Sequence, residues 1–256
     1  MCFPADAVPP PVPRGLLRTS EPPDAHEAVI EAQDGACFRA AYAVASQSRG
    51  LAVLILPDVR GLFDFYVNLA RAFASAGHDA IAIDYFGRTA GTEPRPHNFE
   101  FMPHIKGTTP ENVQTDMIAA RNHLSSVTGA TSFASVGFCF GGSQSCLATT
   151  NAQLHLDAAI SLYGGLDPKH LEVFPRPAHE ANRMTGPILG LYGGADPSIP
   201  AELRDEFGVA LSTAGVEHEF VVYPNAPHSF FDRTHHDFTV ECADAWDRML
   251  AFLRRE

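Results

Sequence analysis

Gly137-Phe138-Cys139-Phe140-Gly141-Gly142 places a single cysteine at the apex of a G-x-C-x-G-G turn. Phe133–Val136 reads as a short buried strand leading in, and Ser143–Ala148 as the start of a helix leading out. A sharp strand-to-helix reversal leaves no room for Cβ atoms beside the strained residue, which explains the glycines. A thiol at that apex faces the N-terminus of the next helix. Unpaired N–H groups and the helix dipole there favour a thiolate and can receive a developing oxyanion. The chemistry this pattern could do is attack by sulfur on a carbonyl. Taken alone, the six residues leave a buried, inert thiol open as an alternative.

Two further residues fit that chemistry. Asp196 lies in Gly-Gly-Ala-Asp-Pro-Ser, 57 residues after Cys139, and His228 lies in Pro-His-Ser-Phe, 32 residues later. Each follows an apolar run, so nucleophile, acid and base would stand at three strand ends, and both spacings leave room for a helical crossover. An imidazole exchanges protons near neutrality, and a carboxylate behind it fixes the tautomer. The plainer readings are a loop histidine and a turn aspartate capping the helix at Ala201. The group His228, Asp232, His235, His236 and Asp237 lacks a helix-borne H-x-x-x-H, so no metal and no cofactor is expected. His235 and His236 are placed at the surface before the last helix, and Cys146 in the core.

These residues need a scaffold. Ala28–Ala32 and Ala36–Ala45 are strand candidates around the turn Asp34-Gly35. Leu51–Leu56, Ala80–Asp84, Ala158–Leu162, Pro187–Tyr192 and Glu219–Tyr223 are further strands, several apolar throughout and so buried on both faces. Helices are expected over Phe63–Ser75, from Thr109-Pro110 to about Val127, over Ala201–Thr213 and over Asp237–Arg254. Tyr85–Thr109 and Leu166–Thr185 read as irregular. The alternation predicts an α/β fold, a mostly parallel central sheet with helices on both faces, with the polar loops of Asp58, Cys139, Asp196 and His228 at the strand ends where such sheets bind ligands. Residues 1–23, rich in proline, read as an arm and residues 24–256 as one domain.

Composition narrows the class. A net charge of −12 without a basic stripe argues against nucleic acid. No run approaches the ~20 apolar residues that span a bilayer. The start of the chain lacks the pattern of a secretory signal. Five cysteines (Cys2 in the arm among them) without a CxxC pair suit a reducing cytoplasm rather than a disulfide frame.

Together G-F-C-F-G-G, G-G-A-D at Gly193–Asp196, P-H-S-F at Pro227–Phe230 and P-D-V-R-G at Pro57–Gly61 resemble the dienelactone hydrolase family, over roughly Ala28 to Phe252. The resemblance implies an α/β-hydrolase fold, with Cys139 as nucleophile, His228 as base and Asp196 as its orienting acid. The backbone N–H groups of Phe140 and Val59 would form the oxyanion hole. It further implies an acid at position 58 that pairs with the resting thiol; the best-known members carry Glu there and this chain has Asp58, one methylene shorter. Those members hold a substrate carboxylate with two arginines. This chain has none over Glu100–His104, and Arg233 falls one place later than the second; Arg95, His97, His104 and Lys106 are the other basic candidates. The implied activity is hydrolysis of lactones or activated enol and aryl esters through a cysteine acyl-enzyme. A general small carboxylester or thioester hydrolase, or a non-catalytic module binding a small ligand, are the alternatives. The expected partner is a small ester or lactone, with no nucleic acid and no membrane, in a monomer or homodimer.

Overall fold

A computed structural model describes residues 7–254 apart from 49, 97, 169 and 170. The strands are β1 (Ala25–Glu31), β2 (Cys37–Ala43), β3 (Ala52–Leu56), β4 (Ala80–Ile83), β5 (Phe133–Phe138), β6 (Leu156–Leu162), β7 (Ile188–Gly193) and β8 (His218–Tyr223). The helices are α1 (Asp64–Ser75), α2 (Gly87–Ala90), α3 (Phe101–Lys106), α4 (Pro110–Thr128), α5 (Phe140–Ala148), α6 (Pro177–Glu180), α7 (Ala201–Ala214) and α8 (Thr239–Phe252). The strands form one sheet in the order β1-β2-β4-β3-β5-β6-β7-β8. β2 pairs antiparallel with both β1 and β4, and every later pairing is parallel. The expected α/β architecture is the observed one.

Burial explains the sequence pattern. β3, β4, β5 and β7 are buried at every position, which is why they read as unbroken apolar runs. Successive side chains still face opposite ways. Val53 and Ile55 enter one apolar layer with Phe73 and Trp246 of α1 and α8. Ala52, Leu54 and Leu56 enter the other with Val113, Met117 and Leu124 of α4. α4 starts where its caps predict: Thr109 accepts the Asn112 N–H, Pro110 opens the first turn, and Gly129 ends the helix at φ 78°. Ahead of β1 the proline-rich residues lie against the first layer through Ala7, Val12 and Leu16. The Trp246 indole N–H donates to the Pro10 carbonyl at 3.0 Å.

Four expectations need correction. Tyr85–Thr109 is not irregular throughout: it folds α2 and α3, too short to show periodicity. Leu166–Thr185 likewise contains α6 and a 3-10 turn at Ala181–Arg183. The helix after the turn begins at Phe140, three residues before Ser143, because Phe140-Gly141-Gly142 are already helical. His235 is buried rather than at the surface, with only its neighbour His236 exposed.

Candidate active site

The parallel register brings the chemistry to one edge. Leu56 pairs with Gly137 and Phe138 with Leu162, so β3, β5 and β6 end level. Gly193 pairs with Tyr223 at the ends of β7 and β8. The loops after β7 and β8 stay joined past the sheet, with the Gly194 N–H on the Tyr223 carbonyl (2.7 Å) and the Ala195 N–H on the Ala226 carbonyl (3.0 Å). Asp58, Cys139, Asp196 and His228 therefore emerge on the same side.

Cys139 has φ 54° and ψ −112°, a conformation that L-residues rarely adopt and that costs of order 1–3 kcal/mol unless its surroundings enforce it. The surroundings do. Its N–H donates to the Leu162 carbonyl (3.1 Å), and its own carbonyl accepts from Gly142 (3.0 Å) and Gly165 (3.3 Å). A Cβ at position 137 would land on the Gly141 carbonyl oxygen, and one at 141 on the Leu56 carbonyl. Only glycine lets strand and helix approach so closely, which is the physical content of G-x-C-x-G-G. Cys146, two turns into α5, is fully buried and its thiol is pushed up to about 12 by desolvation.

Behind the sulfur stands an imidazole with its carboxylate. His228 Nδ1 is 2.6 Å from Asp196 Oδ2. Burial pulls the imidazole down, but the Asp196 hydrogen bond and the Cys139 sulfur outweigh it and raise His228 to about 10. Burial likewise works against the Asp196 charge, yet hydrogen bonds from His228 and Ser198 hold that carboxyl below its ordinary value. Asp196 does not cap the helix at Ala201, whose N-cap is Pro200 with no side-chain cap; its second oxygen accepts the Ser198 N–H (2.8 Å) and hydroxyl (2.5 Å), closing the turn before α7.

The histidine loop is fixed by contacts the sequence did not disclose. The Tyr163 hydroxyl donates to Asp232 Oδ2 at 2.9 Å, and its ring lies 5.2 Å from the imidazole. Of the four non-glycine residues at positive φ among the described residues, three are Cys139, Tyr163 and Ser229. Backbone strain is thus concentrated around sulfur and imidazole. Desolvation and the nearby Asp58 charge raise Asp232 to about 7, against the Arg233 N–H that favours its charge.

Two of the basic candidates are engaged elsewhere. Arg95 donates to Asp84 (2.8 Å) and to the Gly91 carbonyl (2.6 Å). His104 bonds Thr89 Oγ1 (2.9 Å) and stacks on Phe99. Neither lines the cleft beside Cys139, nor do Lys106 and the exposed Arg233; His97 lies outside the described residues. Asp58 is gripped by Arg60, with Nη2–Oδ2 at 2.7 Å and Nε–Oδ1 at 3.1 Å. Neither Asp58 oxygen bonds the Cys139 sulfur.

A cavity of about 400 Å³ opens above the sulfur, lined by Val59, Cys139, Phe140, Ser198 and His228. The Val59 and Phe140 N–H groups have no acceptor among the described residues. Ser143, Gln144 and Asp167 add polar groups, and the large apolar side chains of the wall are Met102 and Ile105 from α3, and Leu171 and Phe174 from the segment after β6. No motif marks these four, because a cleft wall needs only apolar area and has no fixed spacing. Ser198 could have been read from Asp-Pro-Ser as an Asx-turn partner. Among the described residues no group of three or more His, Cys, Asp or Glu is placed to hold a metal, and no helix is long and apolar enough to cross a membrane.

Sheet order, a positive-φ apex residue after β5, and an acid and a histidine after β7 and β8 define the α/β-hydrolase fold. Comparison with known proteins narrows this. The profile of the dienelactone hydrolase family matches residues 38–256, and the chain belongs to that family of hydrolases. A protein of Yersinia pestis provisionally named carboxymethylenebutenolidase is 32% identical over 203 residues, covering 77% of this chain and 75% of its own. One of the same name from Saccharolobus solfataricus is 30% identical over 258 residues, covering 87% and 95%. The crystal structure of a Klebsiella pneumoniae protein, provisionally described as a dienelactone hydrolase, superposes with a TM-score of 0.77 at 28% identity, covering 91% of this chain and 98% of that one.

Proposed function

We propose that this hydrolase cleaves lactones or activated esters through an acyl-enzyme on Cys139. The observation that carries the reading is the strained cysteine facing an imidazole that is itself bonded to a buried carboxylate. His228, raised to about 10 by Asp196 and the sulfur, is the group to hold the proton, and in this reading the attacking group is the Cys139 thiolate. It adds to the carbonyl carbon, and the Val59 and Phe140 N–H groups receive the oxyanion. The intermediate collapses with loss of the leaving oxygen, which takes its proton from His228. A water then gives a proton back to the neutral imidazole and attacks the thioester, releasing the acid and restoring the thiolate. Asp196 holds the imidazole in place throughout. Asp58 could touch the thiol only after releasing Arg60.

Sulfur limits the substrates. A thiolate leaves a tetrahedral intermediate more readily than an alkoxide, so a plain alkyl ester mostly reverts. Stable leaving groups, as in enol or aryl esters and enol lactones, carry the reaction forward. kcat/KM should be higher for p-nitrophenyl than for ethyl esters of one acid, and equal values would count against a cysteine acyl-enzyme. Cys139→Ala should lower kcat/KM by at least about 10³-fold, while Cys146→Ala should retain turnover. Activity surviving in the first variant would refute the assignment.

A further inference from the structure

We propose that the cleft wall away from His228 is an acyl pocket, and that the preferred substrates are esters of uncharged, apolar acids of medium length. This rests on the ester-hydrolase reading of the same site. The two apolar layers of the molecule meet at this cleft. Tyr163 and Phe230, which pack around the His228 loop, belong to the α1/α8 layer. Ile105, Phe140 and Phe174 belong to the α4 layer, with Val59 and Leu171 packed against them. His228 must reach the leaving oxygen to protonate it, so the leaving group lies on its side. The acyl chain is thereby directed to the α4 side.

What it meets there is apolar and partly uncovered. Phe174 sits edge-on to Phe140 at 5.1 Å, giving the pocket a rigid aromatic floor. Ile105 closes it from α3. Met102, on the same helix, keeps 44% of its surface exposed at the mouth. Large apolar groups left open beside reactive atoms are the usual lining of a ligand site. The carboxylate on this cleft is Asp167, whose charge opposes an anionic tail, and apolar walls leave such a tail desolvated.

The test holds the leaving group constant. p-Nitrophenyl acetate, butyrate and hexanoate are compared with mono-p-nitrophenyl adipate, which has the hexanoate chain length and a terminal carboxylate. kcat/KM should rise at least about tenfold from acetate to hexanoate, since each fully buried methylene is worth a factor of about three to four. The adipate half-ester should be at least about tenfold poorer than hexanoate. Leu171→Asp, at a half-buried wall position, should flatten the series. Hexanoate should also slow iodoacetamide labelling of Cys139 more than adipate does, a readout that needs no turnover. A flat or falling series, or faster adipate cleavage, in an enzyme that Cys139→Ala silences, would overturn the acyl pocket and leave the ester reading standing. Absence of Cys139-dependent cleavage of every ester would overturn both.

Discussion

Asp196 and Asp58 are the same residue type, each two or three residues past a buried parallel strand, each almost wholly covered and each bonded to a cation. Their partners differ. Asp196 holds an imidazole, which can give up its proton and take it back during a reaction. Asp58 holds a guanidinium, which keeps its protons at any pH the protein meets. The first pair can take part in a proton cycle and the second can only be made or broken as a whole. Position in the fold made both acids available; the partner's chemistry separates a pair able to exchange a proton from one that is not.

The sharpest way to break this contrast is Asp196→Asn, which keeps size but removes the charge behind the imidazole. kcat/KM should fall on the order of 10³-fold, and His228, losing the Asp196 contribution while keeping that of Cys139, should titrate below its native value by NMR. A variant retaining most of its activity would put Asp196 on a level with Asp58. Arg60→Met is the complementary change. It strands a carboxylate whose side chain is 7% exposed and should cost about 3 kcal/mol of stability, read by urea unfolding, while kcat/KM stays within about tenfold. A loss of activity matching that of Asp196→Asn would bring Asp58 into the reaction. The smallest effect is on stability against pH. His228 titrates near 10 folded against an ordinary 6.5, so its interactions stabilise the fold in full below 6.5 and are lost as pH rises through 10. Asp196 is held below the ordinary 3.8, so its contribution is present above 3.8 and lost as pH falls through its lowered folded value. The Tm advantage of the native chain over Asp196→Asn should therefore be greatest between 3.8 and 6.5 and decay toward pH 10. A constant difference would contradict the pairing.

What the sequence disclosed follows from how local each constraint is. β3 and β4 were legible because a strand buried on both faces tolerates only apolar residues, and α4 because Thr109, Pro110 and Gly129 mark its ends. The Cys139 turn was legible because close backbone approach admits only glycine. α2 and α3 were not, since helices of four and six residues owe their form to tertiary packing and show no period of their own. The start of α5 was misplaced for a related reason: glycines signal loops, yet Gly141 and Gly142 are helical, kept small by the backbone beside them. Tyr163–Asp232 joins residues 69 positions apart, and Asp58–Arg60 could be seen only once side chains had directions. His235, among charged neighbours, gave no sign of being covered.

The clasp between Trp246 and Pro10 has a practical side. The chain contains one tryptophan, and its ring is wedged against Phe73 and Phe231, the latter three residues beyond His228. Excited at the red edge of the protein absorption band, where the six tyrosines hardly absorb, native fluorescence thus comes from one tryptophan that touches both the leading polypeptide and the footing of the histidine segment. An unlabelled sample carries its own optical gauge of whether those two parts are seated together.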